Sequence, residues 1–376
     1  MTSQSSDVER TLAALLREGG SALEAHDALT EHDLDELFAG ATEHGVLPLI
    51  ADRLSGARAV SGPIRQRSLI EKQRSTVVDL ALERELRRLL ASFAERRIDV
   101  LVIKGSQLAY SHYERSDLRA RVDSDLLVRR ERRDDAAQLL RQLGYAAAEK
   151  VVGELNATQQ LFTRPGPGDL ALHIDLHWRW SSPPAFANVL TFDEMYSASM
   201  PIPGLGGAAR GLSPVHALIV ACVHRVAHHH DEGDQLKWLY DIHLIASRLT
   251  PGEWETFVSL ASDRAIGAVC VQGLERAAER LGTTYPSELR DAVRAGDRNE
   301  EPTAAYLEAR SQADAVLADL RSLGWQDRLR LMREHILPGA DYMRRRYAPD
   351  SHLPLVALYV LRMGRGARRW FHRRSG

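Results

Sequence analysis

The stretch IDVLVIKGSQLAYSHYERSDLRARVDSDLLV, residues 98–128, decides how the rest of the chain is read. Val100–Ile103 is a short β-branched and leucine run that stops at Lys104-Gly105-Ser106. Gln107–Tyr113 then takes a helical pattern, and Gly105 and Ser106 stand where a strand gives way to that helix. Asp125–Val128 is a second apolar run, opened by Asp123-Ser124-Asp125. Residues two apart on a strand share a face, so Asp123 and Asp125 aim at one point outside the sheet. Further on, residues 172–180 read LHIDLHWRW. There Asp175 lies between Ile174 and Leu176, takes the face opposite theirs, and shares it with His177.

Working outward, the chain divides into three regions. Residues 1–97 read as helical: Val8–Arg17 and Leu34–Ala39 carry apolar residues three and four apart, and Thr30 with Asp33 resembles an N-cap and its partner. Ile64–Phe93 is a long charged helical pattern without Gly or Pro. Residues 98–203 change period. Asp134–Leu143 reads as a helix stopped by Gly144, and Ala147–Val152, Gln160–Thr163 and Leu170–Trp178 read as strands. Residues 204–376 return to helices at Pro214–His230, Gln235–Arg248, Ile266–Arg280, Ala304–Leu323 and His352–Arg374. The expectation is an α+β protein: a central module with a mixed sheet, flanked by N-terminal and C-terminal helical regions.

Composition narrows the function classes. With 44% apolar and 27% charged residues the 376-residue chain is that of a folded globular protein. A net charge of −2 supplies no global field toward nucleic acid or membrane. Cys222 and Cys270 are the two cysteines, which excludes a disulfide framework and a cysteine zinc site. The start MTSQSSDVER lacks the order of a signal peptide. The longest clean apolar run, Leu353–Leu361, falls short of the roughly 20 residues a bilayer requires. A cytoplasmic protein is expected.

Three carboxylates at one spot repel unless a cation sits between them. Hard oxygen ligands favour Mg²⁺ or Mn²⁺, and two such ions about 3.5–4 Å apart clamp the attacking and leaving oxygens of a phosphoryl displacement. A strand-to-helix turn at Gly105 and Ser106 offers backbone N–H groups and a hydroxyl to phosphate, with Lys104 and Arg119 adding positive charge. Each piece alone is weak. Asp-x-Asp at a strand edge is more often solvated than catalytic, Lys-Gly-Ser is an ordinary turn, and Asp175 could pair with an arginine. The order of the three pieces, each on the right local structure, gives the pattern its force.

That pattern resembles the DNA polymerase β-like nucleotidyltransferase superfamily, whose signature is Gly-Ser after the first strand, then Asp-x-Asp, then a third Asp on a later strand. More narrowly, the chain is similar to the bacterial family described as uncharacterised nucleotidyltransferases. The matching stretches are VLVIKGSQLAYSHY, LRARVDSDLLV, RQLGY, LHIDLHWRW and CVHRVAHHHDEGDQLKWLYDI, over about residues 98 to 245 and more weakly to about 360. The resemblance implies that Gly105 and Ser106 hold the β- and γ-phosphates and that Asp123 and Asp125 bind both metals. It implies that Asp175 binds the catalytic metal and helps deprotonate the acceptor hydroxyl. It places Arg119 at the triphosphate and Lys104 at the family's lysine. Two departures stand out: Ser124 replaces a commonly apolar middle residue, and the gap from Ser106 to Asp123 exceeds that of the small antibiotic-modifying members.

Other features carry alternatives. His224 and His228 share a helix face, with His229, His230 and Asp231 near, but the run His-Arg-Val-Ala-His lacks the metalloprotease glutamate. The resemblance puts His224, His228, Trp238 and Asp241 at family positions that could face the cleft. His177 could contact substrate, orient a ligand, or satisfy a strand-edge partner. The C-terminal RMGRGARRWFHRR could bind RNA, lie on an anionic membrane surface, or be a solvated tail. The expected activity is transfer of a nucleoside monophosphate from an NTP, ATP as the abundant donor, to a hydroxyl on a small molecule, peptide or RNA end. Two rivals are a binding protein that kept the fold without turnover and a toxin-like member that modifies RNA.

Overall fold

A computed structural model describes residues 3–18, 31–57, 60–148, 158–232, 234–289, 302–309, 312–337, 339–347 and 353–370. Its centre is a seven-stranded mixed sheet in the order β3-β4-β5-β2-β1-β7-β6. The strands are β1 (Val100–Ile103), β2 (Ser124–Val128), β3 (Ala146–Ala147), β4 (Gln159–Pro165), β5 (Ala171–His177), β6 (Met200–Pro201) and β7 (Arg210–Gly211). β1 and β2 run antiparallel with Ile103 opposite Asp125. β2 and β5 run parallel with Asp125 opposite Asp175.

Eleven helices of the described residues surround or flank the sheet before residue 282: α1 (Ser3–Glu18), α2 (Glu31–Glu43), α3 (Leu47–Gly56), α4 (Gly62–Glu95), α5 (Lys104–Ser111), α6 (Arg133–Gln142), α7 (Phe192–Ser197), α8 (Pro214–Glu232), α9 (Leu236–Ala246), α10 (Pro251–Asp263) and α11 (Gly267–Leu281). Four more follow at Gln312–Ser322, Trp325–Ile336, Ala340–Tyr347 and Leu355–Trp370. Among the described residues no helix is long and apolar enough to cross a membrane.

Alternation along the strands sorts their side chains onto two covered faces. Val100, Val102, Leu126, Val128, Ile174 and Leu176 pack with Leu86, Leu89 and Phe93 of α4 and Leu139 and Leu140 of α6. Leu101, Ile103 and Leu127 face the other way, into a larger core. That core joins Leu12 and Leu15 of α1 and Ile50 and Leu54 of α3 to Leu218 of α8, Ile242 of α9 and Val269 of α11. The helices before and after the sheet therefore bury apolar surface against each other and against one face of it. Asp125, Asp175 and His177 lie on that second face, where the core gives out.

Several elements depart from the sequence reading. The helix after β1 starts at Lys104 rather than Gln107, and Lys104 takes a left-handed φ of 53°. A non-glycine residue there costs about 1–3 kcal/mol, held by the packing of strand and helix on either side. The expected helix Ala304–Leu323 is a 3₁₀ turn, Pro302–Leu307, and a helix, Gln312–Ser322. Of the expected strand Ala147–Val152 only residues 147–148 are described, Ala147 as the end of β3, and Thr30 lies outside the described residues. α10 went unread although Thr250 and Glu253 form a full capping box with Pro251 at its first turn. The two-residue strands β6 and β7 are too short for any periodicity to reveal.

β7 sits against β1 through a close approach that has no room for a side chain. A Cβ on Gly211 would come within 2.8 Å of Ile202 Cδ1 and 2.9 Å of Gln107 Cδ. Gln107 is held there by donating Nε2–H to the Leu212 carbonyl at 2.7 Å. Gly211→Ala is expected to lower the unfolding free energy by about 1–3 kcal/mol in urea titration, because overpacking forces both side chains aside. An unchanged midpoint would refute this account of the β1–β7 seam.

Candidate active site

The site grows out of the pairing of β2 with β5. In-register parallel neighbours present their side chains side by side on one face, so Asp125 meets Asp175 although fifty residues separate them. His177, two residues on from Asp175, joins them. Ligand atoms of Asp125, Asp175 and His177 all lie within 4.8 Å of one another. Asp123 precedes β2 and lines the same cleft, half-buried. Its carboxyl is pushed up to about 6, by burial first and then by the charges of Asp125 and Asp175.

Lys104 answers that charge. Its ammonium donates to Asp125 Oδ1 at 2.8 Å and lies 3.3 Å from His177 Nε2. The left-handed φ at Lys104 accompanies this inward reach. Burial raises the Asp125 carboxyl, but Lys104 and a hydrogen bond from His177 outweigh it and hold Asp125 well below the usual carboxylate range. Burial and Lys104 hold His177 below its ordinary value against the opposing pull of Asp125, so the ring is neutral. A neutral ring 2.8 Å from Asp125 Oδ1 carries its proton on Nε2 and donates it there. His177 Nδ1 is then a buried acceptor, and it has no hydrogen-bond partner. Of the roles open to His177, orienting Asp125 is the one its contacts support. It is buried, outside the lining of the main cleft.

Gln159 of β4 was not foreseen. Its Nε2 donates to Asp175 Oδ2 at 2.5 Å and fixes that carboxylate from the strand beyond. No local pattern marks Gln159; only the β4–β5 pairing brings it there.

The turn before α5 is backed by a buried ion pair. Arg119 Nε and Nη2 donate to Asp241 Oδ1 and Oδ2 at 2.8 and 2.7 Å, and Nη1 donates to the Ala120 carbonyl at 2.6 Å. Tyr113 donates its hydroxyl to Asp241 at 2.8 Å. A Cβ on Gly105 would stand 3.3 Å from the Arg119 guanidinium, so the glycine lets the turn rest on that planar cation. Arg119 was expected at the triphosphate. The structure packs its guanidinium against Gly105 of the turn and pairs it with Asp241, and Arg119 also lines the main cleft. Asp241 was expected as a substrate contact, but it is buried and borders a cavity of about 20 Å³ behind the turn. Ser106 is also buried, its hydroxyl 3.4 Å from the Asp123 carbonyl, which links the turn to the Asp-x-Asp segment.

These groups open onto a cleft of about 700 Å³, within the range of small-molecule sites. Lys104, Gly105, Ser106, Asp123, Asp125 and Asp175 line one end. Arg74 of α4, His224 of α8 and Lys237 and Trp238 of α9 line another part of it. His224 meets Trp238 edge-on with ring centroids 5.7 Å apart. The side chain of His228 lies outside the described residues, as do those of His229, His230 and Asp231. Asp79 of α4 and Arg121 pair at the cleft wall, a contact the sequence did not signal.

The donor set fits a divalent cation. The clustered ligand atoms are the carboxylate oxygens of Asp125 and Asp175 and an imidazole nitrogen of His177, and the Asp123 carboxyl, raised by burial first and then by its acidic neighbours, lines the cleft beside them. Three carboxylates against one lysine leave two formal negative charges, the charge a single divalent ion neutralises.

Comparison with known proteins agrees with this geometry. Residues 30–282 match the model of a family described as "Uncharacterised nucleotidyltransferase", more than half of the chain. The chain belongs to that family. No curated protein matches it. Within this family member the matched span takes in α2 to α11, so the helices that wall the cleft belong to the family pattern together with the sheet.

Removing one member of a buried ion pair strands the other charge. Asp241→Ala is expected to cost the protein about 3–5 kcal/mol of unfolding free energy by chemical denaturation, since Arg119 is left unpaired. A loss under about 1 kcal/mol would show that Arg119 finds water or another partner and that the pair does not hold the turn.

Proposed function

We propose that the protein transfers a nucleoside monophosphate from an NTP to a hydroxyl-bearing acceptor, with ATP as donor and pyrophosphate as leaving group. The observation that supports this best is the Asp125–Asp175 register in front of the Lys104-Gly105-Ser106 turn. The acceptor oxygen forms a bond to the α-phosphorus while the bond from that phosphorus to the bridging oxygen breaks. Pyrophosphate leaves with the bonding pair, and the hydroxyl proton passes to the Asp175 carboxylate and on to solvent.

The chain's own groups position each part. The backbone N–H groups at the start of α5 and the Lys104 ammonium face the phosphates. Gln159 orients Asp175 and His177 orients Asp125. Asp123, Asp125 and Asp175 would hold Mg²⁺ or Mn²⁺, which when bound supplies Lewis-acid charge to the phosphates and lowers the cost of ionising the acceptor. The part of the cleft lined by Arg74, His224, Lys237 and Trp238 accommodates the base or the acceptor.

Isothermal titration with a non-hydrolysable ATP analogue and Mg²⁺ should show binding at or below about 1 mM. Asp125→Asn should lose metal-dependent pyrophosphate release by about a thousandfold across a panel of hydroxyl acceptors. Absence of nucleotide binding, or equal behaviour of the variant, would sink the reading.

A second measurement uses protons. Asp123 at about 6 is half protonated near that pH, and a cation favours the ionised form. Mn²⁺ binding should therefore release about half a proton at pH 6 and almost none at pH 8, with affinity falling as pH drops below 6. Titration in two buffers of different ionisation enthalpy reads this directly. Identical heats in both buffers at pH 6 would remove Asp123 from the metal site.

A further inference from the structure

The helices after Gly324 carry apolar residues on the outside. On Trp325–Ile336 the side chains of Trp325, Leu329, Met332 and Ile336 are all exposed, Trp325 by 69%. Their spacing of four, three and four puts them in one stripe along the helix. Arg328 and Arg333, each three or four residues from members of the stripe, border it on its two sides. Leu331, on another face, is fully buried, so the helix has an inward anchor and a separate outward stripe. Leu355–Trp370 repeats the arrangement. Leu358 packs inward on Met343, while Val356, Val360 and Met363, four and three apart, are exposed, Val356 by 74%.

Charge follows the same segment. After Gly324 the sequence holds twelve arginines, four acidic residues and no lysine, in a chain whose net charge is −2. The remainder is therefore acidic, and the positive charge is gathered in the same stretch of sequence as the outward apolar stripes.

We propose that the outward stripes of the helices Trp325–Ile336 and Leu355–Trp370 bind an anionic lipid bilayer, with these helices lying in the headgroup plane. Outward tryptophan, leucine and methionine flanked by arginine suit a surface that is apolar within and anionic above. RNA would engage the arginines and leave Leu329, Ile336, Val356 and Val360 in water. A second copy stacked stripe on stripe would bring Arg328 and Arg333 of each chain against like charges. This inference does not depend on the nucleotide site.

The test is flotation of the full chain with phosphatidylcholine vesicles, with and without about 30 mol% phosphatidylglycerol. Binding to the anionic vesicles and not to the neutral ones is expected. Trp325→Ser with Leu329→Ser should weaken it by about tenfold or more with the melting temperature unchanged, since both residues are already in water. Brominated lipid should quench part of the tryptophan emission, and Trp325→Phe should lose that part while still floating. No binding to anionic vesicles would overturn the proposal. So would binding that about 0.5 M NaCl abolishes and the serine pair leaves untouched, because that is charge alone. Serine-insensitive competition by an RNA oligonucleotide, or a concentration-dependent dimer that the serine pair dissociates and that does not float, would equally refute it.

Discussion

Repulsion among Asp123, Asp125 and Asp175 is the constraint around which the site is arranged. The β2–β5 register forces two of these carboxylates together, and the approach to β2 adds the third. Strand pairing does not tolerate a shift here, because a slip of one residue would turn Leu126 and Leu176 out of the core. Hydrophobic burial thus holds the acidic groups at a separation they would not choose. Lys104 from a strained backbone position, His177 from beneath and Gln159 from the neighbouring strand each reduce the cost.

The same logic explains why helices distant in sequence belong to the site. The turn that begins α5 rests on Arg119, and Arg119 is held by Asp241 from α9. α9 is fixed in turn by the core it shares with α1, α3, α8 and α11. Stability of the helical layers is therefore transmitted to the start of α5 at the cleft. Dividing the chain at the sheet would therefore loosen the turn that begins α5.

The C-terminal helices stand apart from this arrangement. They bury Leu331, Met343 and Leu358 yet leave Trp325, Leu329, Met332, Ile336, Val356, Val360 and Met363 outside, in a segment whose charge opposes that of the remaining chain. Burial within one chain does not account for that distribution, whereas contact with an external apolar and anionic surface does.

Much of this was legible before any coordinates. Alternation determined which face of each strand Asp125, Asp175 and His177 would take, and the long apolar periodicities of α1, α4, α8, α9 and α11 determined that helices would flank the sheet. These are local properties, set by the two-residue and 3.6-residue repeats of the backbone. α10 too has a local signal, the Thr250–Glu253 capping box. What only the tertiary structure decided is which faces meet. The Asp125–Asp175 register, the approach of Gln159 and the Arg119–Asp241 pair across more than one hundred residues all depend on strand order and helix packing. No spacing in the chain encodes them, because pairing energy is a property of two segments and a sequence pattern describes one at a time.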